Sequence, residues 1–272
     1  MSVYQADALV IRSREYGESD RLLTLFSREQ GKLHAVAKGV RKPKSRQRAG
    51  AQLFTYADFL LYRGRTLDTV NQASPKESFP FLWGDMEKCL AASAIVELLD
   101  IGTIQGQPYP ELFTLTLSSL FLLEYLDPAL LQSAYTLRLL TYLGYRPKLS
   151  ECSVCGQSIR GTRVYFGLEE GGVVCGQCLG DNARLGRWLQ AGSIAFMRQL
   201  LTVDLTKLDR LRWNEGMKKE ILICLQFLSE QTFNRRLKSW SMGSRLANVG
   251  QNQSGKDGQV NERSTVDRTR ES

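Results

Sequence analysis

Four cysteines in two pairs are the residues with the most specific chemistry in this sequence. Cys152 and Cys155 form one C-x2-C pair, and Cys175 and Cys178 form a second pair after 19 intervening residues. This spacing is typical of a four-thiolate zinc site, because each short pair can present both sulfurs on one face of a turn. Four sulfur ligands leave no open position for a reacting water, so the sequence predicts one structural Zn²⁺ ion.

Two other interpretations of the cysteines stay open at this point. A C-x2-C pair also serves as a redox motif, and each pair could form a local disulfide. The remaining cysteines, Cys89 and Cys224, lie in apolar stretches that we predict to be helical. We expect both of them to be buried thiols.

The segment between the cysteine pairs predicts a zinc ribbon. Residues 163–168 and 172–174 can form a hairpin, which would place the second pair beside the first. Gly156 and Gly176 each follow a cysteine, where a tight knuckle can require positive φ.

Little else in the chain suggests catalysis. His34 is the only histidine, so mechanisms that need several imidazoles are excluded. No phosphate-binding glycine loop, zinc-protease motif or nucleophile elbow is present. Glu18, Asp20, Asp85 and Glu87 could hold a metal in principle, but acidic pairs of this kind are usually solvated. We predict that the protein is not an enzyme.

The positive charge is unevenly distributed. The 272 residues carry 36 Lys and Arg against 28 Asp and Glu, a net charge of +8, and 43% of them are hydrophobic. Residues 1–80 have a net charge of +6, residues 81–150 of −3, and residues 151–272 of +5. The hydrophobic content excludes global disorder, and the basic surplus favours an anionic partner such as nucleic acid.

One short segment, which we call the basic loop, concentrates this charge. It covers residues 38–48 and contains six cations and no acid. Such a run is suited to neutralising phosphates, although a solvated loop without a ligand is the alternative. Its cations are Lys38, Arg41, Lys42, Lys44, Arg46 and Arg48.

Period-two patterns predict five short strands in the first 80 residues, with the basic loop in a long connection after the third. Five strands and one long connection favour a small barrel of the oligonucleotide-binding (OB) type, although an SH3-like barrel would give a similar pattern. The predicted strands cover residues 6–11, 21–26, 32–38, 57–62 and 66–70.

Helical periodicity begins near residue 84 and returns after the cysteines. The predicted helices cover residues 84–102, 110–126, 128–143, 192–202 and 218–241, with Gly144 as a left-handed cap of the third.

The predicted architecture is therefore α+β and multidomain. It has an OB barrel over 1–80, a helical domain over 81–150 and 181–243, a ribbon inserted at 151–180, and a polar, disordered tail over 244–272. The N-terminus lacks the features of a signal peptide, and no apolar run is long enough to span a membrane. We expect a cytoplasmic, nucleoid-associated protein.

Several short motifs occur in a fixed order along the chain. They are Tyr16-Gly-Glu-Ser-Asp20, Ala37-Lys-Gly-Val-Arg-Lys42 with Lys44-Ser-Arg46, Leu53-Phe54, Leu143-Gly-Tyr-Arg-Pro147, and Gly171-Gly172 before the second cysteine pair. In this order, over roughly residues 1 to 240, the chain resembles the RecO family of bacterial recombination mediators.

This resemblance implies a non-enzymatic role in DNA repair and recombination after DNA damage, within the RecFOR pathway. Members of the family bind single- and double-stranded DNA and anneal complementary strands. They contact the C-terminal tail of the single-stranded-DNA-binding protein SSB, and with RecR they help to load RecA onto SSB-coated strands.

The DNA-binding residues that we predict are the six cations of the basic loop together with Arg14 and Arg21, which flank the first strand connection. Tyr16, Phe54 and Tyr62 are candidates for stacking on bases, with core packing as the alternative for each.

Two alternative functions remain open. One is a zinc-ribbon enzyme that processes nucleic acid, such as a nuclease with a carboxylate metal site. The other is a ribbon protein that binds RNA.

Overall fold

The computed structural model describes residues 2–180 and 185–240, so the predicted tail at 244–272 lies outside the described residues. The N-terminal region contains five strands. They are β1 (Val3–Tyr16), β2 (Asp20–Ser27), β3 (Gly31–Ala37), β4 (Tyr56–Tyr62) and β5 (Asp68–Glu77).

These strands close into a barrel with the order β1-β2-β3-β5-β4. The β3–β5 pairing is parallel, and the other pairings are antiparallel. Strand β1 is long enough to serve two neighbours, since Val3–Leu9 pairs with β4 and Ala8–Tyr16 pairs with β2. A register shift between Val10 and Arg12 lets the strand bend from one neighbour to the other. The predicted five-stranded OB-type barrel is confirmed.

Alternation along the strands fills the barrel interior. Ala35 and Ala37 point inward and are fully buried, and these small side chains permit a narrow barrel. The connection from β3 to β4 closes one end of the barrel, because its Val40 and Ala51 join the same core. The cations of the basic loop are thus carried on a segment that the barrel core anchors.

The helices follow the predicted order, with some different ends. They are α1 (Phe81–Gly84), α2 (Met86–Gly102), α3 (Pro110–Leu122), α4 (Pro128–Tyr142), α5 (Gly176–Leu179), α6 (Ala191–Thr202) and α7 (Glu215–Phe233), with a 3₁₀ helix over Leu205–Arg210.

Local capping explains several helix boundaries. The carboxylate of Asp85 accepts a hydrogen bond from Lys88 N at the start of α2, and that of Asp127 accepts one from Leu130 N at the start of α4. Gly144 follows α4 with a φ of +88°, as predicted. Helix α7 ends eight residues earlier than its predicted end at residue 241, because Asn234 adopts a left-handed conformation.

The ribbon forms a three-stranded sheet. Strands β6 (Arg163–Gly167) and β7 (Gly172–Val174) form the predicted hairpin, and β8 (Gly186–Gln190) pairs with the other edge of β6. The sequence did not predict β8, which lies beyond residue 180. Val164 and Phe166 of this sheet belong to the same core as the helices, so the ribbon is packed against the helical region.

The barrel shares that core as well. Leu9, Ile11 and Phe26 point outward from the barrel and are buried among residues of the helices. None of the helices within the described ranges is long and apolar enough to cross a membrane.

Candidate metal centre and nucleic-acid interface

The four cysteines converge as their spacing predicted. Their Sγ atoms all lie within 4.8 Å of one another, and those of Cys155 and Cys175 are 3.7 Å apart. A tetrahedral ion with Zn–S bonds of about 2.3 Å has sulfur–sulfur edges of about 3.7 Å. The cluster therefore has the donor atoms and the spacing for one four-coordinate metal ion.

The first knuckle is a tight turn built by backbone hydrogen bonds. Gly156 N donates to Cys152 O at 2.9 Å, and Cys152 N donates to Gln157 O at 2.8 Å. Gly156 has a φ of +73°, as its position predicted. The second knuckle differs, because Gly176 begins the short helix α5 and does not have positive φ.

Backbone amides also favour ionisation of one thiol. Burial of Cys152 opposes the loss of its proton, but amides of Cys155, Cys175 and Val154 donate to its sulfur. The net effect lowers the pKa of Cys152 to about 6. Because the thiolate is the form that binds metal, the backbone prepares this cysteine for ligation.

The other two cysteines lie apart from this cluster. Cys224 is fully buried within α7, and desolvation raises the pKa of its thiol to about 12. Cys89 is half-buried on α2. The predicted burial is therefore confirmed for Cys224, whereas Cys89 is only partly buried.

The basic loop is held in place at its start by the turn between β1 and β2. Gly39 N donates to the carboxylate of Asp20 at 2.7 Å, and Arg41 N donates to Ser19 O at 2.8 Å. The loop's six cations are all exposed. Within the described residues, only one of them forms an ion pair, that of Arg41 with Glu15 at 3.2 Å. The loop therefore presents a concentrated, largely unneutralised positive surface.

Arg14 and Arg21 do not extend this surface in the same direction. In the β1–β2 register Arg14 lies opposite Leu22, whereas Arg21 lies opposite Glu15, so the two arginines are on opposite faces of the sheet. The Arg21 guanidinium donates to Ser13 Oγ at 3.0 Å, near the end of the barrel that the loop closes. Arg14 instead lines a cleft on the outer face.

The three aromatic residues predicted to stack on bases differ in exposure. Tyr16 is 47% exposed and Tyr62 is 37% exposed, but they lie at opposite ends of β1 and its partner β4. Phe54 is fully buried and packs beside Trp83, so the stacking role predicted for it is wrong. Its position next to an exposed basic run concealed that it belongs to the core between barrel and helices.

Sequence reasoning missed most of the cleft that Arg14 lines. This cleft has a volume of about 340 Å³ and lies between β1, β2, β3, the end of α2 and the residues after α7. Arg12 and Arg14, like Lys32 and His34, are two residues apart on a strand and so share a face. That spacing was an available signal, but Arg235 reaches the cleft only through the tertiary fold. The charged and titratable residues of the cleft are Arg12, Arg14, Lys32, His34, Asp100 and Arg235.

Two of the four carboxylates considered for a nuclease metal site have structural roles. Asp20 anchors the basic loop, and Asp85 caps α2. Within the ranges that the structure describes, the cysteine cluster is the one group of three or more His, Cys, Asp or Glu residues able to hold a metal. These observations do not favour the nuclease alternative.

Comparison with known proteins gives a consistent result. Residues 1–79 match the family description "Recombination protein O N terminal", and residues 84–241 match "Recombination protein O C terminal". A DNA repair protein RecO from Desulfitobacterium hafniense strain Y51 is 65% identical over the full length of both chains. One from Heliobacterium modesticaldum is 40% identical over 89% of each chain, and one from Desulforamulus reducens is 35% identical over 92% of this chain and 98% of its own. This chain belongs to the RecO family of DNA repair proteins.

Proposed function

We propose that the protein is a DNA repair and recombination mediator. It binds single- and double-stranded DNA, anneals complementary strands, and together with RecR helps to load RecA onto strands coated with SSB. The observation that carries this proposal is the basic loop, which is anchored to an OB-type barrel and exposes six cations. Among the residues that the structure describes, one of these cations forms an ion pair.

The chemistry of the loop suits such a role. Lysine and arginine contacts to phosphates release counterions, and they bind DNA without reading its sequence. An annealing factor must hold strands of any sequence and let them move into register, which contacts of this kind permit. Exposed Tyr16, beside the anchored start of the loop, can add sequence-tolerant stacking on a base.

Charge reversal in the loop tests this proposal. We expect a variant with Arg41→Glu, Lys42→Glu and Lys44→Glu to lose most of its affinity for single-stranded DNA. The slope of log affinity against log salt should also decrease by about 2, since each single-strand phosphate contact contributes about 0.7. Fluorescence anisotropy across a salt titration measures both quantities.

The matched control changes the same total charge on another surface. Lys207, Arg210 and Lys219 are exposed cations of the helical region, and their triple change to Glu should leave most of the affinity and the slope intact. DNA binding by the loop variant that equals wild type at every salt concentration would show that the assigned surface is wrong. Cleavage of labelled DNA with Mg²⁺, abolished by a single carboxylate change, would instead support a nuclease, and preference for RNA competitors would support an RNA-binding protein.

We further propose that the four cysteines hold one structural Zn²⁺ ion. Cys152, Cys155, Cys175 and Cys178 would all be ligands, and the ion would fix the two knuckles at the edge of the β7-β6-β8 sheet. With four sulfur ligands it would serve stability, not chemistry.

The protein partners are also part of this proposal. We expect the acidic C-terminal tail of SSB and the protein RecR to bind this chain in the cytoplasm, at the nucleoid. A pulldown with an SSB tail peptide, compared with a peptide of the same composition in scrambled order, tests the first partner. Equal capture by both peptides would contradict it.

A further inference from the structure

The cleft beside Arg14 lies on the outer face of β1, β2 and β3. In register across these strands, Arg12 lies opposite Thr24, and Thr24 lies opposite His34. The face of strands β2 and β3 is the one that OB folds commonly use to bind oligonucleotides. Here Phe26 at one end of this face is buried against the helices, and the cleft is the part that the helices leave open.

The cleft is rich in positive charge. Four of its side chains are cations, and Asp100 is its one acid. That carboxylate is already shared, because it accepts from Lys32 Nζ at 3.1 Å and lies 3.6 Å from the Arg12 guanidinium. Arg14 and Arg235 form no ion pair within the described residues, so two guanidinium groups from distant parts of the chain remain available to an anion.

His34 lies among these groups, and their charges shift the pKa of its imidazole. Burial lowers the pKa of its imidazole, and Lys32, Arg14 and Arg12 lower it further, while Asp100 acts in the opposite direction. The Nδ1 atom of the ring lies 3.3 Å from Oγ1 of Thr24. A neutral imidazole surrounded by cations would gain a proton more readily if an anion entered the cleft.

We propose that this cleft is a second phosphate-binding site, in which Arg14 and Arg235 hold a backbone phosphate of the DNA strand and His34 lies beside it. The inference rests on the proposed DNA-binding function and extends it from the barrel to the helical region. Arg14 and Glu15 are consecutive on β1 and point to opposite faces, and Glu15 pairs with Arg41 of the basic loop, so the cleft and the loop are separate positive surfaces on the two sides of this strand. A DNA strand bound at both the basic loop and the cleft would contact the barrel and the segment after α7 at the same time.

The single histidine makes the cleft directly observable. Its Cε1–H signal is unique in an NMR spectrum of the protein labelled with ¹³C-histidine, because His34 is the only histidine. We expect saturating single-stranded oligonucleotide to raise the pKa of His34 by about 1, since a phosphate close to an imidazole favours its protonated form. Affinity for the oligonucleotide should accordingly rise as the pH falls from 8 to 6.

A double variant tests the two ligands. Arg14→Gln with Arg235→Gln should reduce the slope of log affinity against log salt by about 1.4, at about 0.7 for each contact. It should also remove the effect of DNA on the His34 signal. Both arginines are exposed, so the change should leave folding intact. The matched control is Arg198→Gln with Arg210→Gln, two exposed arginines of the helical region, which should change neither quantity.

The outcomes separate this inference from the proposed function. If the oligonucleotide binds wild type in a salt-dependent manner but leaves the pKa of His34 unchanged, the cleft assignment is wrong and the proposed function stands. If no DNA binds at any salt concentration, both are wrong. If inorganic phosphate at the same phosphate concentration raises the pKa of His34 as much as the oligonucleotide does, the site takes free phosphate and the DNA assignment is overturned. A shift caused by DNA alone, and lost in the double variant, supports the proposal.

Discussion

The ring of Phe26 on β2 stacks against the ring of Phe113 on α3, with centroids 6.4 Å apart and planes inclined by 23°. Phe26 points outward from the barrel, and both side chains are buried. Because the two residues come from the barrel and from the helical region, their contact helps to make one core out of two structural units. The barrel and the helical region are therefore packed against each other through this contact.

We expect Phe113→Ala to lower the free energy of unfolding by about 3–5 kcal/mol, since it leaves a cavity in the joint core. Urea unfolding followed by tryptophan fluorescence measures this loss. Tyr125 is 78% exposed, so Tyr125→Ala should change stability by less than about 0.5 kcal/mol. Equal effects of the two substitutions would contradict the described packing.

A glycine pair tests the contact between the β2–β3 turn and the segment after α2. Gly31 has a φ of +66°, and a Cβ atom there would clash with the backbone oxygen of Gln107. Gly17 has a similar φ of +58°, but a Cβ atom there would meet nothing within 4 Å. We expect Gly17→Ala to cost about 1–2 kcal/mol from the left-handed backbone alone.

Gly31→Ala should cost about 1–3 kcal/mol more than Gly17→Ala, because the Gln107 backbone must also move. Thermal or urea unfolding of the two variants gives the difference. A difference near zero would mean that the turn does not pack against residue 107.

The metal proposal predicts about one zinc per chain in freshly purified, reduced protein, measured by elemental analysis. Cys152→Ser and Cys175→Ser should each lose most of the metal and destabilise the ribbon, because thiolate ligands hold its knuckles together. Cys89→Ser, on α2 and away from the cluster, should keep the metal. Zinc-free wild type, or full zinc content in Cys152→Ser, would contradict the proposal.

The stability of the protein should depend on pH through His34. The pKa of this residue is lowered in the folded state, mainly by burial, so the unfolded chain takes up the proton more readily. Stability relative to His34→Gln should therefore be constant above pH 7.5 and fall as the pH decreases through the ordinary histidine range near 6.5. Urea midpoints of both proteins from pH 8 to 5.5 measure this. If the wild type instead gained stability relative to the variant as the pH fell, the predicted lowering of the His34 pKa in the folded state would be contradicted.

Local patterns were sufficient to predict much of this fold. Alternation over residues 32–38 identified β3, and the cysteine spacing identified the ribbon, because in both cases the signal lies in consecutive or closely spaced residues. Strand β5 extends to Glu77 and was predicted to end at Val70. Its second half is mostly exposed and contains Pro75, so it carries no apolar alternation.

The candidate nucleic-acid interface was harder to predict, because tertiary packing decides it. The basic loop is a run in the sequence and was found as one. The cleft combines residues of three strands with Asp100 and Arg235, which no local pattern connects. Phe54 shows the opposite problem, since it follows the exposed basic loop in the sequence but the fold buries it beside Trp83.

Annealing of complementary strands is the activity for which the basic loop is proposed, so the annealing rate of loop variants is the decisive measurement. Complementary oligonucleotides coated with SSB are mixed with the protein in the absence of nucleotide, and duplex formation is followed by fluorescence energy transfer. We predict that wild type and the Lys207→Glu, Arg210→Glu, Lys219→Glu control accelerate annealing, and that the Arg41→Glu, Lys42→Glu, Lys44→Glu variant does so at least tenfold less. Annealing by the loop variant at the wild-type rate would show that the basic loop does not carry this activity.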